Sequence, residues 1–192
     1  MAVQFNFPLF LTWCRIVAIP LFVAVLYMPE SWINERNASV TAMWIFIAAA
    51  VTDWLDGWLA RRWNQTTSFG AFLDPVADKL MVTAALIVLT EKGIVDPFAS
   101  LIIIGREITI SALREWMAQV GRSKSVAVNI GGKVKTVAQL VAIPFLLFNG
   151  VLFGLFHTVP VGRLLVWIAA FLTLWSMLVY LKAAWATERT PQ

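Results

Sequence analysis

Six apolar stretches, each about as long as one crossing of a lipid bilayer, constrain the fold of this chain more than any other feature. A membrane-spanning helix needs about 20 apolar residues, so each stretch predicts one helix. Hydrophobic residues make up 60% of the 192 residues and charged residues only 14%, which excludes an ordinary soluble domain. The stretches are residues 8–29, 38–61, 71–91, 97–120, 134–153 and 160–185. We therefore predict an all-α integral membrane protein, in which six transmembrane helices form one bundle and one domain over residues 1–192.

Residues outside the spans predict how the chain meets the membrane. The segment VQFNF at residues 3–7 alternates polar and apolar residues, which predicts a short N-terminal segment in the membrane interface. Positive side chains are enriched on the cytoplasmic side of membrane proteins. One predicted side has only Arg36, Lys92 and Arg163. The other side has eight such residues: Arg61, Arg62, Arg122, Lys124, Lys133, Lys135, Lys182 and Arg189. The bias places this second side and both termini in the cytoplasm, and it explains the basic pI without nucleic-acid binding.

Four aspartates crowd at the cytoplasmic ends of the second and third predicted spans, in DWLDGWLARRWNQTTSFGAFLDPVAD at residues 53–78. Asp53 and Asp56 share one helix face, and Asp74 and Asp78 share a face of the next helix. A short loop between the two helices lets all four carboxylates converge, and such a group needs a compensating cation. Because Mg²⁺ and Mn²⁺ prefer carboxylates together with substrate phosphates, the cluster predicts a site for two divalent ions acting on a phosphoryl group.

The residues leave other interpretations of the aspartates open. They could cap helices or pair with Arg61, Arg62 and Lys79 at the lipid–water boundary. A divalent-cation transporter would also use aspartates, but it would distribute them through the bilayer. A membrane prenyltransferase would have a second aspartate-rich segment downstream, whereas only Asp96 follows Asp78. The crowding at one face favours an enzyme.

A second group of charged and polar residues lies in the fourth predicted span and at the cytoplasmic start of the fifth. Its members are Arg106, Glu107, Arg114, Glu115, Lys133, Lys135 and Thr136. Charged residues within a span usually face the bundle interior or a wet cavity, although Arg106 could pair with Glu107 for packing alone. Arginine forks and lysine point charges suit an anionic ligand, and positive-inside topology alone would also explain the two lysines.

The segment from residue 53 to residue 78 resembles the CDP-alcohol phosphatidyltransferase signature, D-x2-D-G-x2-A-R-x8-G-x3-D-x3-D, at every fixed position. The matching residues are Asp53, Asp56, Gly57, Ala60, Arg61, Gly70, Asp74 and Asp78. FNFPLFLTWCRIVAIP, REITISALREWMA and GGKVKTVAQ resemble segments of the bacterial phosphatidylglycerophosphate synthases of that family. The resemblance implies a six-helix, usually dimeric enzyme of the bacterial inner membrane, surrounded by membrane lipids and with its active site facing the cytoplasm. Such an enzyme binds CDP-diacylglycerol, displaces CMP and joins the phosphatidyl group to an alcohol.

The same resemblance implies roles for individual positions. Asp53, Asp56, Asp74 and Asp78 would hold two Mg²⁺ or Mn²⁺ ions, and Asp78 would also accept the proton of the acceptor hydroxyl. The residues predicted to bind CDP-diacylglycerol are Asp56, Gly57, Ala60, Arg61, Gly70, Asn6, Pro8 and Thr12, the last on one helical face with Arg15. The resemblance names the acceptor as sn-glycerol 3-phosphate. The residues predicted to bind this acceptor are Arg106, Arg114, Lys133, Lys135 and Thr136.

Overall fold

Six helices make up most of the described chain. The computed structural model describes residues 7–63, 68–119 and 130–188. The helices are α1 (Phe7–Leu26), α2 (Glu35–Trp63), α3 (Ser68–Glu91), α4 (Pro97–Gln119), α5 (Ile130–Phe148) and α6 (Thr158–Glu188). Each helix overlaps one predicted span, so the predicted helical class is confirmed. The predicted interfacial segment lies outside the described residues except for Phe7, which begins α1.

Two of the described helices are long and apolar enough to cross a membrane by themselves. They are Glu35–Leu59 in α2 and Thr158–Leu178 in α6, with mean hydropathies of 1.5 and 1.8. The apolar segments Phe10–Leu26 and Val137–Phe148 are shorter, and charged residues of the predicted sites interrupt α3 and α4. The number of spans therefore stays a prediction.

The outer surface of the bundle is strongly apolar. Leu101, Ile108 and Phe171 are about two-thirds exposed, and Trp44 and Trp175 are nearly as exposed. Water would make such a surface unstable, whereas lipid chains solvate it without cost. This surface fits the membrane class that the composition predicts.

The core lies where the helices meet. α1 packs against α2 and α3, α6 packs against α5 and α4, and α2 also contacts α5. Large side chains such as Phe22, Phe46 and Ile143 fill the centre at no more than 1% exposure. Buried alanines, including Ala42 and Ala142, let the backbones approach closely, as small residues do between helices in membranes.

One end of the bundle is closed by a short β-hairpin that the sequence does not predict. α5 ends at Phe148, before the predicted boundary at residue 153, because Asn149 adopts a left-handed conformation (φ 42°) that stops a helix. Strands β1 (Val151–Leu152) and β2 (Phe156–His157) then pair antiparallel, and Phe153 and Gly154 turn the chain with positive φ.

Arginine side chains complete this end. Arg36 at the start of α2 donates to the carbonyls of Phe148 and Asn149, and Arg163 in α6 donates to Gly93 and Ile94. We call the residues Tyr27, Arg36, Glu91, Asp96, Arg163 and the hairpin 151–157 the hairpin end.

Candidate active site

Three aspartates of the signature converge at the opposite part of the bundle. Asp53 lies on α2, and Asp74 and Asp78 lie one turn apart on α3. The carboxylate of Asp53 is close enough to those of Asp74 and Asp78 for their charges to repel. The structure thus brings together the two helix faces on which the sequence predicts aspartates. Asp56 lies on α2 one turn after Asp53, and its side chain is outside the described part of the structure.

Helix α1 contributes two polar side chains that contact aspartates of both α2 and α3. Arg15, only 2% exposed, forms a 2.7 Å ion pair with Asp53 on α2. Thr12, 1% exposed, donates a 2.5 Å hydrogen bond from Oγ1 to Oδ1 of Asp74 on α3. Residues 12 and 15 share a helix face, so one face of α1 holds carboxylates from two other helices. We call Thr12, Arg15, Asp53, Asp74 and Asp78 the aspartate end.

The sequence leaves open that Arg61, Arg62 and Lys79 pair with the aspartates. The two of these side chains that the structure describes have other partners. Arg62 is exposed, and its guanidinium lies 5.3 Å from the centre of the Trp58 ring. Lys79 donates from Nζ to Oγ of Ser111 on α4. The side chain of Arg61 is outside the described part. Among the described side chains, the partner of Asp53 is therefore Arg15, which comes from a different helix than the sequence suggests.

The residues predicted to bind the nucleotide occupy the neighbouring helix ends. Gly57 lies in the last turns of α2 and is partly buried, and Gly70 is buried in the first turn of α3. Pro8 lies in the first turn of α1, so its position is compatible with a helix start. The side chains of Pro8, Ala60 and Arg61 are outside the described part, and Asn6 precedes the first described residue.

The residues predicted to bind the acceptor are only partly described. Arg106 is 5% exposed, and its Nη1 lies 2.9 Å from Oε1 of Glu107. Its Nη2 donates a 3.3 Å hydrogen bond to Oγ of Ser176 on α6. The pairing with Glu107 that the sequence leaves open is therefore present. The predicted residues whose side chains the structure does not describe are Arg114, Lys133, Lys135 and Thr136.

A small cavity borders Asp78 between α3, α4 and α5. Its volume is about 50 Å³, and its polar lining includes Asp78, Lys79, Glu107 and Gln139. Gln139 is 7% exposed, and its Nε2 has no hydrogen-bond partner among the described residues. Sequence reasoning missed Gln139, and Ser176 likewise, because an isolated polar residue in an apolar helix carries no spacing pattern.

The donor chemistry of the aspartate end fits a hard divalent cation. Its carboxylates offer only oxygen, which Mg²⁺ and Mn²⁺ prefer, and a cation would relieve the repulsion around Asp53. Within the described side chains, no three His, Cys, Asp or Glu residues already form a metal-holding group. The fourth carboxylate of the signature, Asp56, is outside that set. The residues fit the ions in donor type, and their assignment as ligands remains a proposal.

Comparison with known proteins agrees with the signature. The sequence profile of the CDP-alcohol phosphatidyltransferase family matches residues 5–175, which is most of the chain. The chain belongs to the CDP-alcohol phosphatidyltransferase family. The predicted family is thus confirmed.

Two relatives show how far the similarity extends. A protein of Shigella flexneri serotype 5b (strain 8401) is 52% identical over 185 residues, which cover 94% of this chain and 96% of the relative. A protein of Escherichia coli (strain K12) is 51% identical over the same shares. Both relatives are named CDP-diacylglycerol–glycerol-3-phosphate 3-phosphatidyltransferase. The predicted enzyme class, a transferase of phospholipid biosynthesis, is therefore confirmed.

Proposed function

We propose that this chain transfers the phosphatidyl group of CDP-diacylglycerol to sn-glycerol 3-phosphate, which gives phosphatidylglycerophosphate and CMP. The observation that supports it most is the identity of 51–52% with transferases named for this reaction, over 94% of the chain. The geometry agrees, because three carboxylates of the family signature meet at one end of the bundle beside a polar cavity.

The donor nucleotide binds beside the aspartates. Small residues at positions 57, 60 and 70 let the cytidine diphosphate approach the helix backbones. The complete proposed set is Asp56, Gly57, Ala60, Arg61, Gly70, Asn6, Pro8 and Thr12. Thr12 acts there by holding Asp74 in place.

Asp53, Asp56, Asp74 and Asp78 hold two divalent ions, Mg²⁺ or Mn²⁺. Such ions, when bound, neutralise the pyrophosphate and the charge that develops on the departing CMP. Arg15 fixes the carboxylate of Asp53 through its ion pair, so that one ligand position is set by α1.

Asp78 acts as the general base of the transfer. Its carboxylate lines the cavity, where an acceptor hydroxyl can reach it and give up its proton. The hydroxyl oxygen forms a bond to the phosphorus that carries the diacylglycerol. The bond from that phosphorus to the CMP oxygen breaks, and its electron pair leaves with CMP.

The acceptor phosphate binds to cationic and polar residues of α4 and of the first turns of α5. The proposed set is Arg106, Arg114, Lys133, Lys135 and Thr136. Arg106 contacts Glu107 on α4 and Ser176 on α6, and these contacts fix the position of its guanidinium. The phosphate therefore binds to an arginine that is already held between the two helices.

The enzyme is one domain over residues 1–192 with six membrane spans, preceded by a short interfacial segment. It is a homodimer of the bacterial inner membrane, with both termini and the active site on the cytoplasmic side. Contacts between helix ends support only the alternating direction of these helices. Tyr27 after α1 bonds Glu91 at the end of α3, and Arg163 near the start of α6 bonds residues just after α3.

Purified protein in detergent tests the reaction directly. With CDP-diacylglycerol, sn-glycerol 3-phosphate and Mg²⁺ or Mn²⁺, we expect CMP release in equal amount to lipid product, and none when a chelator removes the metal. A different acceptor alcohol of the same family is the alternative reaction. Turnover with inositol phosphate or serine and none with glycerol 3-phosphate would overturn the proposed substrate.

A further inference from the structure

The cavity beside Asp78 contains one buried polar group for which the described residues offer no hydrogen-bond partner. Gln139 on α5 lines the cavity, is 7% exposed, and its Nε2 has no hydrogen-bond partner among the described residues. Buried amide donors are nearly always bonded to protein or water, because burial without an acceptor is costly. An orphan donor on the wall of an active-site cavity therefore points to a ligand acceptor atom.

Two carboxylates that line the same cavity restrict which chemical group of a ligand can bind there. Asp78 and Glu107 both line the cavity, and their charges act on one another. Lys79 also lines the cavity, but it donates to Ser111, and its single positive charge does not balance two carboxylates. A phosphate would therefore meet a net negative charge, so the phosphate end of an acceptor lies outside this cavity. A neutral hydroxyl is the group that fits, because it can donate to a carboxylate and accept from an amide at once.

The size of the cavity agrees with a hydroxyl-bearing end. A volume of about 50 Å³ holds a few atoms of water size, which is enough for a hydroxyl-bearing carbon and too small for a whole glycerol phosphate. Position 135, one of those proposed for the acceptor phosphate, lies one turn before Gln139 on α5 and shares its helix face. The acceptor can thus extend from this position down to the cavity.

Contacts with neighbouring residues hold Glu107 and its helix in place beside the cavity. Arg106 contacts its Oε1 at 2.9 Å. Ser111 donates to its backbone carbonyl at 2.5 Å and accepts from Lys79 of α3, which ties the two helices together. A carboxylate accepts several hydrogen bonds, so the contact with Arg106 is compatible with a bond from a substrate hydroxyl.

We propose that Gln139, together with Glu107, binds the secondary hydroxyl of the acceptor and so determines its selection over acceptors that lack this group. The terminal hydroxyl then lies at Asp78 for attack, while the phosphate points towards the cytoplasmic end of α5. This inference rests on the proposed function, because it assigns a role within the same acceptor site.

A pair of acceptors that differ only in the secondary hydroxyl tests the inference. sn-Glycerol 3-phosphate has that group, and 3-hydroxypropyl phosphate keeps the terminal hydroxyl and the phosphate without it. We expect the unmodified enzyme to prefer glycerol 3-phosphate by about 100-fold in kcat/KM, because the deoxy acceptor leaves buried polar groups unpaired. Gln139→Met, which keeps the side-chain length, should reduce this preference about tenfold, mainly by raising KM for glycerol 3-phosphate.

Thr173→Val provides the matched control. Thr173 on α6 is fully buried, and its Oγ1 also has no partner among the described residues, but it does not line the cavity. Both variants remove a buried orphan group, so neither should lower the thermal stability. Only Gln139→Met should change the preference between the two acceptors.

The outcomes separate this inference from the function on which it rests. An unmodified enzyme that releases no CMP with glycerol 3-phosphate contradicts the proposed function. An active enzyme in which Gln139→Met keeps the full preference for glycerol 3-phosphate, or in which Thr173→Val loses it equally, overturns the role of Gln139.

Discussion

The aspartate end and the hairpin end use the same residue types for different purposes. At the hairpin end, Arg163 donates to the carbonyls of Ile94 at 2.7 Å and Gly93 at 3.0 Å, and Asp96 accepts from the first backbone amides of α4. These side chains satisfy the backbone groups that every helix terminus leaves unpaired. At the aspartate end, Arg15 pairs with a side-chain carboxylate, and the carboxylates around it repel one another. Charged side chains that bond the backbone at a helix end stabilise the fold. Several charges of one sign close together indicate instead a site that binds a ligand of opposite charge.

The cavities at the two ends support the same distinction. The hairpin end borders a cavity of about 450 Å³ whose lining includes Asp96, Arg163 and Trp167. Its charged groups already bond the backbone, so its volume alone indicates no ligand. The cavity of about 50 Å³ beside Asp78 is far smaller, but it holds an orphan amide and repelling carboxylates. Unsatisfied polarity, and not volume, identifies the site.

The strongest test of this difference exchanges one aspartate oxygen for nitrogen at each end. Asp78→Asn should reduce CMP release at least about 1,000-fold, because it removes both a general base and a proposed metal ligand. Asp96→Asn should retain activity within about twofold, since Asn caps a helix as well as Asp does. Both are measured as turnover of detergent-purified protein. Comparable losses in the two variants would mean that the ends do not differ in function.

The second comparison removes one arginine from each end. Arg15→Met should lower activity about 10- to 100-fold and destabilise the fold by about 1–3 kcal/mol, because Asp53 loses its buried partner while its repelling neighbours stay. Raising Mg²⁺ should restore part of that stability, because an ion that binds only the folded protein stabilises it.

Arg163→Met is the control for Arg15→Met. It should also cost stability, because the carbonyls of Gly93 and Ile94 lose their donor. Thermal unfolding at increasing Mg²⁺ separates the two variants, since Mg²⁺ should give no selective rescue of Arg163→Met. Equal rescue of both would contradict a cation site beside Arg15.

The third comparison removes one buried threonine hydroxyl from each end. Thr12→Val should lower activity about three- to tenfold, because the carboxylate of Asp74 loses the 2.5 Å hydrogen bond that Thr12 donates to it. Thr12→Ser keeps the hydroxyl and should retain activity. Thr158→Val, at the residue that directly follows the hairpin 151–157, loses a 3.1 Å bond to the carbonyl of Gly150. It should cost about 1 kcal/mol of stability and leave kcat/KM unchanged. Full activity in Thr12→Val would show that Asp74 needs no support from α1.

The last comparison concerns packing alone. A Cβ at Gly162 in α6 would lie 2.6 Å from Cγ of Leu146 in α5, so Gly162→Ala should destabilise the fold by about 1–2 kcal/mol. A Cβ at Gly105 in α4 would meet nothing within 4 Å, so Gly105→Ala should be neutral or stabilise by up to about 1 kcal/mol. Thermal unfolding measures both. A Gly162→Ala variant as stable as Gly105→Ala would contradict the close contact between α5 and α6.

Much of the fold can be predicted from the sequence, because long apolar stretches have few alternatives to helices in a membrane. The boundaries are predicted less well. α5 ends at Phe148 and a hairpin follows, since the left-handed Asn149 and the positive φ of Phe153 depend on local conformations that hydropathy does not record. The proposed metal ligands are predictable as a cluster, because Asp53, Asp74 and Asp78 repeat at helical spacing on two consecutive helices.

The sequence by itself determined the helices, the family and the two aspartate stripes, because helical periodicity and a fixed signature are properties of neighbouring residues. Only the tertiary structure decided that Arg15 holds Asp53 and Thr12 holds Asp74, since these pairs are 38 and 62 residues apart. It also decided that Glu107 and Gln139 meet Asp78 in one cavity. Contacts between distant residues depend on how the helices pack, and that packing follows from the shapes of whole helix faces and not from any local pattern.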